Sequence, residues 1–116
     1  MSKKSRINSR AKGARGEREF CDWLKEHYPE RFGDAQRTQQ HCGNSGDAAD
    51  VRSEGFDQLA LHPEVKRVER GCLYTWLEQA KNDAGPSGKR PFVAHKRNGR
   101  EWVVVLRAQD FFDLMS

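Results

Sequence analysis

No apolar run in this sequence exceeds five residues, Trp102 to Leu106. A helix crossing a bilayer needs about 20, so a helical membrane span is excluded. No apolar stretch follows the basic start, so no secretory leader is expected. Cysteine is scarce and scattered: Cys21, Cys42 and Cys72 form no CxxC pair. An odd, widely spaced set is no disulfide framework and points to reduced thiols in a cytoplasmic protein. His41, Cys42, His62 and Cys72 match the spacing of no zinc finger or ribbon. Hydrophobic residues make up only 35% of the 116, against 33% charged, and mean hydropathy is −0.98. That composition supports one domain around one small core.

What is abundant is charge, and it is unevenly placed. Residues 1–18 carry seven Lys/Arg against the single acid Glu17, and residues 81–100 carry six against Asp83. Between them, residues 19–80 hold seven bases and twelve acids. Two basic blocks flanking an acidic centre suit a protein that grips a polyanion and brings carboxylates to it. A solubilising tail with a solvated loop would look the same by charge alone.

Residues 1–10 read as a basic arm that orders on a partner, ahead of a single domain over residues 11–116. Phe20, Leu24 and Tyr28 recur at helical spacing, which predicts a helix from Ala11 to Tyr28, stopped by Pro29. Short strands are expected at Ala35–Thr38 and Ala49–Arg52, with a polar loop over 39–47. A longer strand is expected from Leu59 to Val68, where Pro63 marks an edge or a bulge. Leu73, Trp76, Leu77 and Ala80 define a second helix ending near Gly85-Pro86. Phe92–His95 and Glu101–Leu106 flank Arg97-Asn98-Gly99-Arg100, a hairpin signal, and Ala108–Met115 reads as a last helix. The pattern predicts an α/β fold: a mixed central sheet flanked by helices.

Four side chains stand out within that frame. Glu64 and Lys66 share one face of their strand, since side chains alternate. Asp50 lies fourteen residues earlier, far enough to sit on the neighbouring strand. Glu17 falls on the apolar stripe of the first helix, a costly position for an unpaired carboxylate. Converging carboxylates make an oxygen site suited to Mg²⁺, with Mn²⁺ as substitute. A lysine beside them offsets their charge and orients a water. The set fits metal-assisted hydrolysis of a phosphodiester. Taken singly, each piece has a plainer reading: a surface pair, a turn former, a first-turn acid. Asp47 is a rival to Asp50, although it sits in a Ser-Gly turn. Trp76, Trp102 and Tyr74 can stack on bases, but their spacing favours the core.

These residues resemble a known family. Lys12-Gly13-Ala14-Arg15-Gly16-Glu17-Arg18-Glu19-Phe20 is similar to the KGxxxERE-hydrophobic opening of archaeal-type Holliday junction resolvases, members of the PD-(D/E)xK nuclease superfamily. Ala49-Asp50-Val51 resembles their acidic strand start, with Ala where Pro is frequent, and Glu64-Val65-Lys66 resembles their ExK. The resemblance covers about residues 11–106 and implies a restriction-endonuclease-like fold. It implies that Glu17, Asp50 and Glu64 are the active-site acids, with Asp50, Glu64 and the Val65 carbonyl on the metal. Lys66 would position the attacking water, and Gln79 would lie near the site from the second helix. Arg37 would be the basic residue before a DNA-reaching loop. A symmetric homodimer is implied; the Phe111/Phe112 helix and an edge strand are the two candidates the sequence offers for its interface. A longer polar insertion before Asp50 and a longer basic arm depart from that family and bear on substrate choice.

DNA phosphates would meet Lys12, Arg15, Lys89, Arg90, Lys96, Arg97 and Arg100, with Arg67 and Arg70 gripping the scissile strand. The expected function is a metal-dependent DNA endonuclease selective for four-way junctions. The alternatives are a nicking, flap or duplex nuclease of the same superfamily, and a non-catalytic DNA-binding domain.

Overall fold

The computed structural model describes the backbone of residues 2–38 and 49–116, with side chains from residue 13 onward in those ranges. In order come α1 (Ser2–His27), α2 (Pro29–Phe32), β1 (Gln36–Arg37), β2 (Val51–Arg52), α3 (Glu54–Gln58), β3 (Leu61–Lys66) and α4 (Leu73–Ala84). A 3-10 turn at Gly85–Ser87 leads to β4 (Arg90–His95), β5 (Val103–Leu106) and α5 (Ala108–Leu114). The expected loop at 39–47, with Asp47, His41 and Cys42, lies outside the described residues.

The sheet is mixed, as the pattern predicts. β3 runs parallel to β4 and β4 antiparallel to β5, in the order β3-β4-β5, while β1 and β2 form an antiparallel pair. That pair lies beside β3, joined to it by a backbone bond from Asp50 N–H to the Pro63 carbonyl, 3.1 Å. Pro63 is therefore where a missing N–H is tolerated, on the side of β3 away from β4. Pro91 sits in the central strand, but β5 takes up its register only from Phe92, opposite Leu106.

Alternation divides the interior. Leu61 and Val65 of β3, with Phe92 and Ala94 of β4, pack against Phe20, Cys21 and Leu24 of α1 and Phe56 of α3. The rings of Phe32, Phe56 and Phe92 form a chain, with centroids 4.7 and 5.6 Å apart. On the opposite face Val93 meets Trp76 and Ala80 of α4.

Several boundaries differ from expectation. Helix α1 begins at Ser2, because nothing in residues 2–12 stops a helix and apolar periodicity reports only a buried face. Tyr28 is exposed, so the stripe ends at Leu24. Strand β3 starts at Leu61, not Leu59, and stops at Lys66. Residues 54–58 form α3, capped by the Ser53 hydroxyl, and Leu59 and Ala60 close it, Ala60 at φ +53°. Strand β4 begins two residues early, at Arg90, and β5 two residues late, at Val103. The Asn98-Gly99 signal holds: the β4–β5 turn closes from Arg100 N–H to Arg97 C=O at 3.1 Å, with Gly99 at φ +71°. Among the described residues no helix is long and apolar enough to cross a membrane.

Candidate active site

Asp50 stands at the entry to β2 and is held from two directions. Its N–H reaches Pro63, and its Oδ2 accepts the Val65 N–H at 2.9 Å. The N–H and C=O of one strand residue point to the same edge, so the Val65 carbonyl also turns toward Asp50 and away from β4. Glu64 and Lys66 do share a face, registered with Val93 and His95 of β4, and that face looks at α4. His95 Nδ1 lies 2.7 Å from the Lys66 carbonyl; a carbonyl only accepts, so Nδ1 carries the proton. The Trp76 ring packs on His95 at 4.8 Å. The backbone under Lys66 is thus fixed by a buried imidazole.

Glu64 is buried and Asp50 half-buried, and both are short of compensation. Burial pushes the Asp50 carboxyl up to about 6, opposed by the Val65 N–H and the Lys66 charge, and reinforced by the Glu17 charge. Burial pushes Glu64 up to about 10, followed by a hydrogen bond with the Asp83 carboxyl and the charge of Asp50, against Lys66. Glu64 is 7% exposed, and its Oε2 has no hydrogen-bond partner among the described residues. His62 Nε2 lies 3.8 Å from that oxygen, beyond hydrogen-bond reach. A buried carboxylate with an unsatisfied oxygen, a half-buried one and an adjacent carbonyl are hard oxygen donors, of the type that Mg²⁺ and Mn²⁺ take. Among the described residues no three His, Cys, Asp or Glu side chains group closely enough to hold an ion. The acids meet in pairs, Asp50 with Glu64 and Glu64 with Asp83.

Glu17 comes to this edge from α1 and pairs with Arg37, whose Nε donates to Oε1 at 2.9 Å. The helix approaches closely because residue 16 is glycine: a Cβ there would stand 2.4 Å from Arg67 Cβ. Arg67 Nε then bonds Glu19 at 3.0 Å, and Lys96 Nζ reaches the same carboxylate at 3.4 Å. These two residues, expected on DNA, fasten α1 to the ends of β3 and β4. Arg37 is likewise engaged, as are Lys89, on Asp57 at 2.9 Å, and Arg90, on the Leu59 carbonyl at 3.1 Å. Arg15, Arg70, Arg97 and Arg100 are exposed; the Lys12 side chain lies outside the described residues.

Gln79 is exposed on α4, one turn before Asp83. Trp76 is core and Trp102 packs on the Phe20 ring at 4.9 Å, whereas Tyr74 is exposed. Sequence reasoning missed Asp83 and His95. Asp83 did carry a signal, as the lone acid of a basic block.

An Asp at a strand start, Glu-x-Lys on the adjacent strand and a helix-borne Glu beside them place acidic side chains and a lysine at one edge of a mixed α/β sheet. The chain matches the family described as "Phage putative PDDEXK endonuclease" over residues 8–116, and it belongs to that family. The resemblance to archaeal-type resolvases therefore holds at the level of the PD-(D/E)xK superfamily. No curated protein and no solved structure matched the chain.

Proposed function

We propose that the chain is a divalent-metal-dependent DNA endonuclease with a restriction-endonuclease-like core, acting in the cytoplasm on branched DNA, four-way junctions foremost. The observation that carries the reading is the convergence of Asp50 and Glu64 on β2 and β3, both with raised carboxyls, beside Lys66. Asp50, Glu64 and the Val65 carbonyl would hold Mg²⁺ or Mn²⁺, which supplies charge stabilisation at a phosphoryl oxygen and acidifies a bound water. Lys66, with its backbone fixed by His95, orients the water for in-line attack on phosphorus. The new P–O bond forms as the bond to the leaving sugar oxygen breaks, and that oxygen takes up a proton. Glu17, held by Arg37, adds negative charge at the rim. Arg15, Arg70, Arg97 and Arg100 supply salt-sensitive phosphate contacts.

Junction preference is proposed together with a two-fold dimer. β5 is an open edge strand, and Val103, Val104, Phe111, Phe112 and Met115 are exposed around it, an apolar surface that natural edges otherwise guard with charge.

Labelled four-way junction, flap and linear duplex, incubated with Mg²⁺ or with EDTA, test this, together with light scattering for mass. Paired nicks on the junction by a two-chain species are expected. Chelation, Asp50→Asn and Lys66→Ala should each lower the rate at least about 10³-fold. Equal cutting of all substrates removes the junction preference and keeps the nuclease. Tight binding without cutting in any metal leaves a DNA-binding domain.

A further inference from the structure

The parity of the sheet bonds fixes what the free edge of β5 offers. Arg90 and Lys96 send their N–H groups to Ala60 and Lys66, so the even residues of β4 bond β3 and the odd ones bond β5. The pairs Val93–Val105 and His95–Val103 therefore carry the β4–β5 bonds. By alternation Val104 and Leu106, with Trp102 just before them, turn their N–H and C=O groups outward. Among the described residues no turn, loop or cap bond takes those groups up. The same three side chains lie on the α1 face, where they line an apolar groove of about 270 Å³ with Phe20, Trp23 and Leu24. Val104 is 58% exposed at its rim, and no charged residue guards the strand between Glu101 and Arg107.

We infer that this edge pairs antiparallel with β5 of a second copy about a two-fold axis at Val104, joining two three-stranded sheets into one of six strands. The inference rests on the two-fold dimer proposed above and deepens it. An outward residue must meet an outward residue, and this register satisfies that: Val104 faces Val104 of the second copy, and Trp102 faces its Leu106. On the α4 face Val103 then meets Val105, and Glu101 meets Arg107, at both ends of the pair. Moving the axis by one residue either way removes the Glu101–Arg107 pairs. Arg107 Nε donates to Asp110 at 2.8 Å, and its guanidinium carries four more N–H groups. The row through the axis runs Val104, Ala94, Val65 in each copy. The two Val65 positions, each with its Asp50, therefore stand five strand spacings apart, about 24 Å. Their strands run in opposite directions, which suits two cuts on strands of opposite polarity.

The test is disulfide trapping of the full chain, with Cys42→Ser and Cys72→Ser leaving the buried Cys21. Val104→Cys should close a covalent dimer on mild oxidation, because facing residues of a hydrogen-bonded pair stand about 5.5 Å apart at Cα, within disulfide range. Val103→Cys should not, since each Val103 lies about 8 Å from its own copy. Val104→Pro removes an outward N–H and none inside the sheet. Light scattering should show it as one chain with the circular dichroism of wild type, nicking duplex DNA within twofold of wild type but making paired nicks at least tenfold more rarely. Glu101→Arg sets like charges opposite each other at both ends and should raise the dimer Kd about tenfold. Equal trapping of Val103→Cys and Val104→Cys overturns the register. A wild-type dimer that Val104→Pro leaves intact and Phe112→Asp splits overturns the pairing and keeps the dimer, seated on α5. A monomeric wild type that makes single nicks overturns the dimer as well and leaves the nuclease standing.

Discussion

Along β3 one set of side chains looks into a hydrocarbon core and the alternate set, polar and ionisable, looks toward α4 at nearly the same depth. Leu61 and Val65 are 9% exposed on one side; on the other Glu64 is 7% exposed and His62 is fully buried. Burial of the first set stabilises the fold by removing apolar area from water. Burial of the second set works against it, because a carboxylate taken from water loses hydration that nothing here fully restores. The same strand therefore divides its labour by parity. The odd residues hold the sheet together, and the even residues carry the proposed site in a state that a bound cation would relieve.

The sharpest break of this comparison is one substitution on each face. Glu64→Gln should abolish cutting, at least about 10³-fold, while the metal-free chain stays folded. It should gain about 2 kcal/mol at pH 8, because the amide needs no proton to be buried. Phe56→Ala, which empties the centre of the Phe32–Phe56–Phe92 chain, should cost about 3–5 kcal/mol. That is a large share of the roughly 5–15 kcal/mol typical of a domain. Its activity per folded molecule should persist. Chemical denaturation with a cleavage assay reads both. A Glu64→Gln chain that unfolds, or a folded Phe56→Ala chain that cannot cut, would sink the division.

A gentler probe is pH. Asp50 and Glu64 have folded pKa values raised above their ordinary ones, to about 6 and about 10. The folded chain therefore binds more protons than the unfolded chain above about pH 4, and stability falls as pH rises through that window. The fall from Asp50 ends near pH 6, and the fall from Glu64 continues toward pH 10. A cation takes the place of the protons, so Mg²⁺ should stabilise little at pH 5 and more at each step to pH 8.5. At a hundredfold excess over Kd the gain approaches about 2.7 kcal/mol. Melting curves in EDTA and in Mg²⁺ across that range read it. A gap independent of pH would detach the ion from these carboxylates.

The two faces were not equally legible in sequence. Period-two alternation alone places Glu64 and Lys66 together, and Asn98-Gly99 alone predicts the β4–β5 turn, because both are local rules. Asp83 escaped because its meeting with Glu64 depends on how α4 is rotated against the sheet, which Trp76, Ala80 and Ala84 settle only once Val93 is opposite them. Arg67 and Lys96 read as DNA contacts for a similar reason: their partner, Glu19, is 48 and 77 residues away in Lys96's case the longer. Helix α3 escaped because five residues, EGFDQ, are too few to show a period. Its signal was the cap, Ser53, and not the helix itself.

That cap gives the smallest effect and confines it to the scaffold beside the site. Ser53 Oγ accepts the Gly55 N–H at 3.2 Å and donates to Asp34 Oδ1 at 2.5 Å, while Asp34 Oδ2 accepts the Glu54 N–H at 2.9 Å. These bonds, the Ser53 hydroxyl first, hold the exposed Asp34 carboxyl below its ordinary value of 3.8. A depressed carboxyl stabilises the fold above its unfolded pKa, and the benefit is lost as pH falls through the folded one. Ser53→Ala removes the cap and should cost about 1 kcal/mol at pH 7. Asp34→Asn should lower the melting temperature by less, and its deficit should shrink as pH falls below the ordinary carboxylate value and wild-type Asp34 itself takes up a proton. Because Asp34 precedes β1 and Ser53 follows β2, this tie closes the two-strand pair that carries Asp50. Cutting by Asp34→Asn at pH 7 should therefore stay within about twofold of wild type, because Asp50 keeps its own bonds to Pro63 and Val65. A larger loss would mean that the apolar scaffold and the acidic face are coupled through β2.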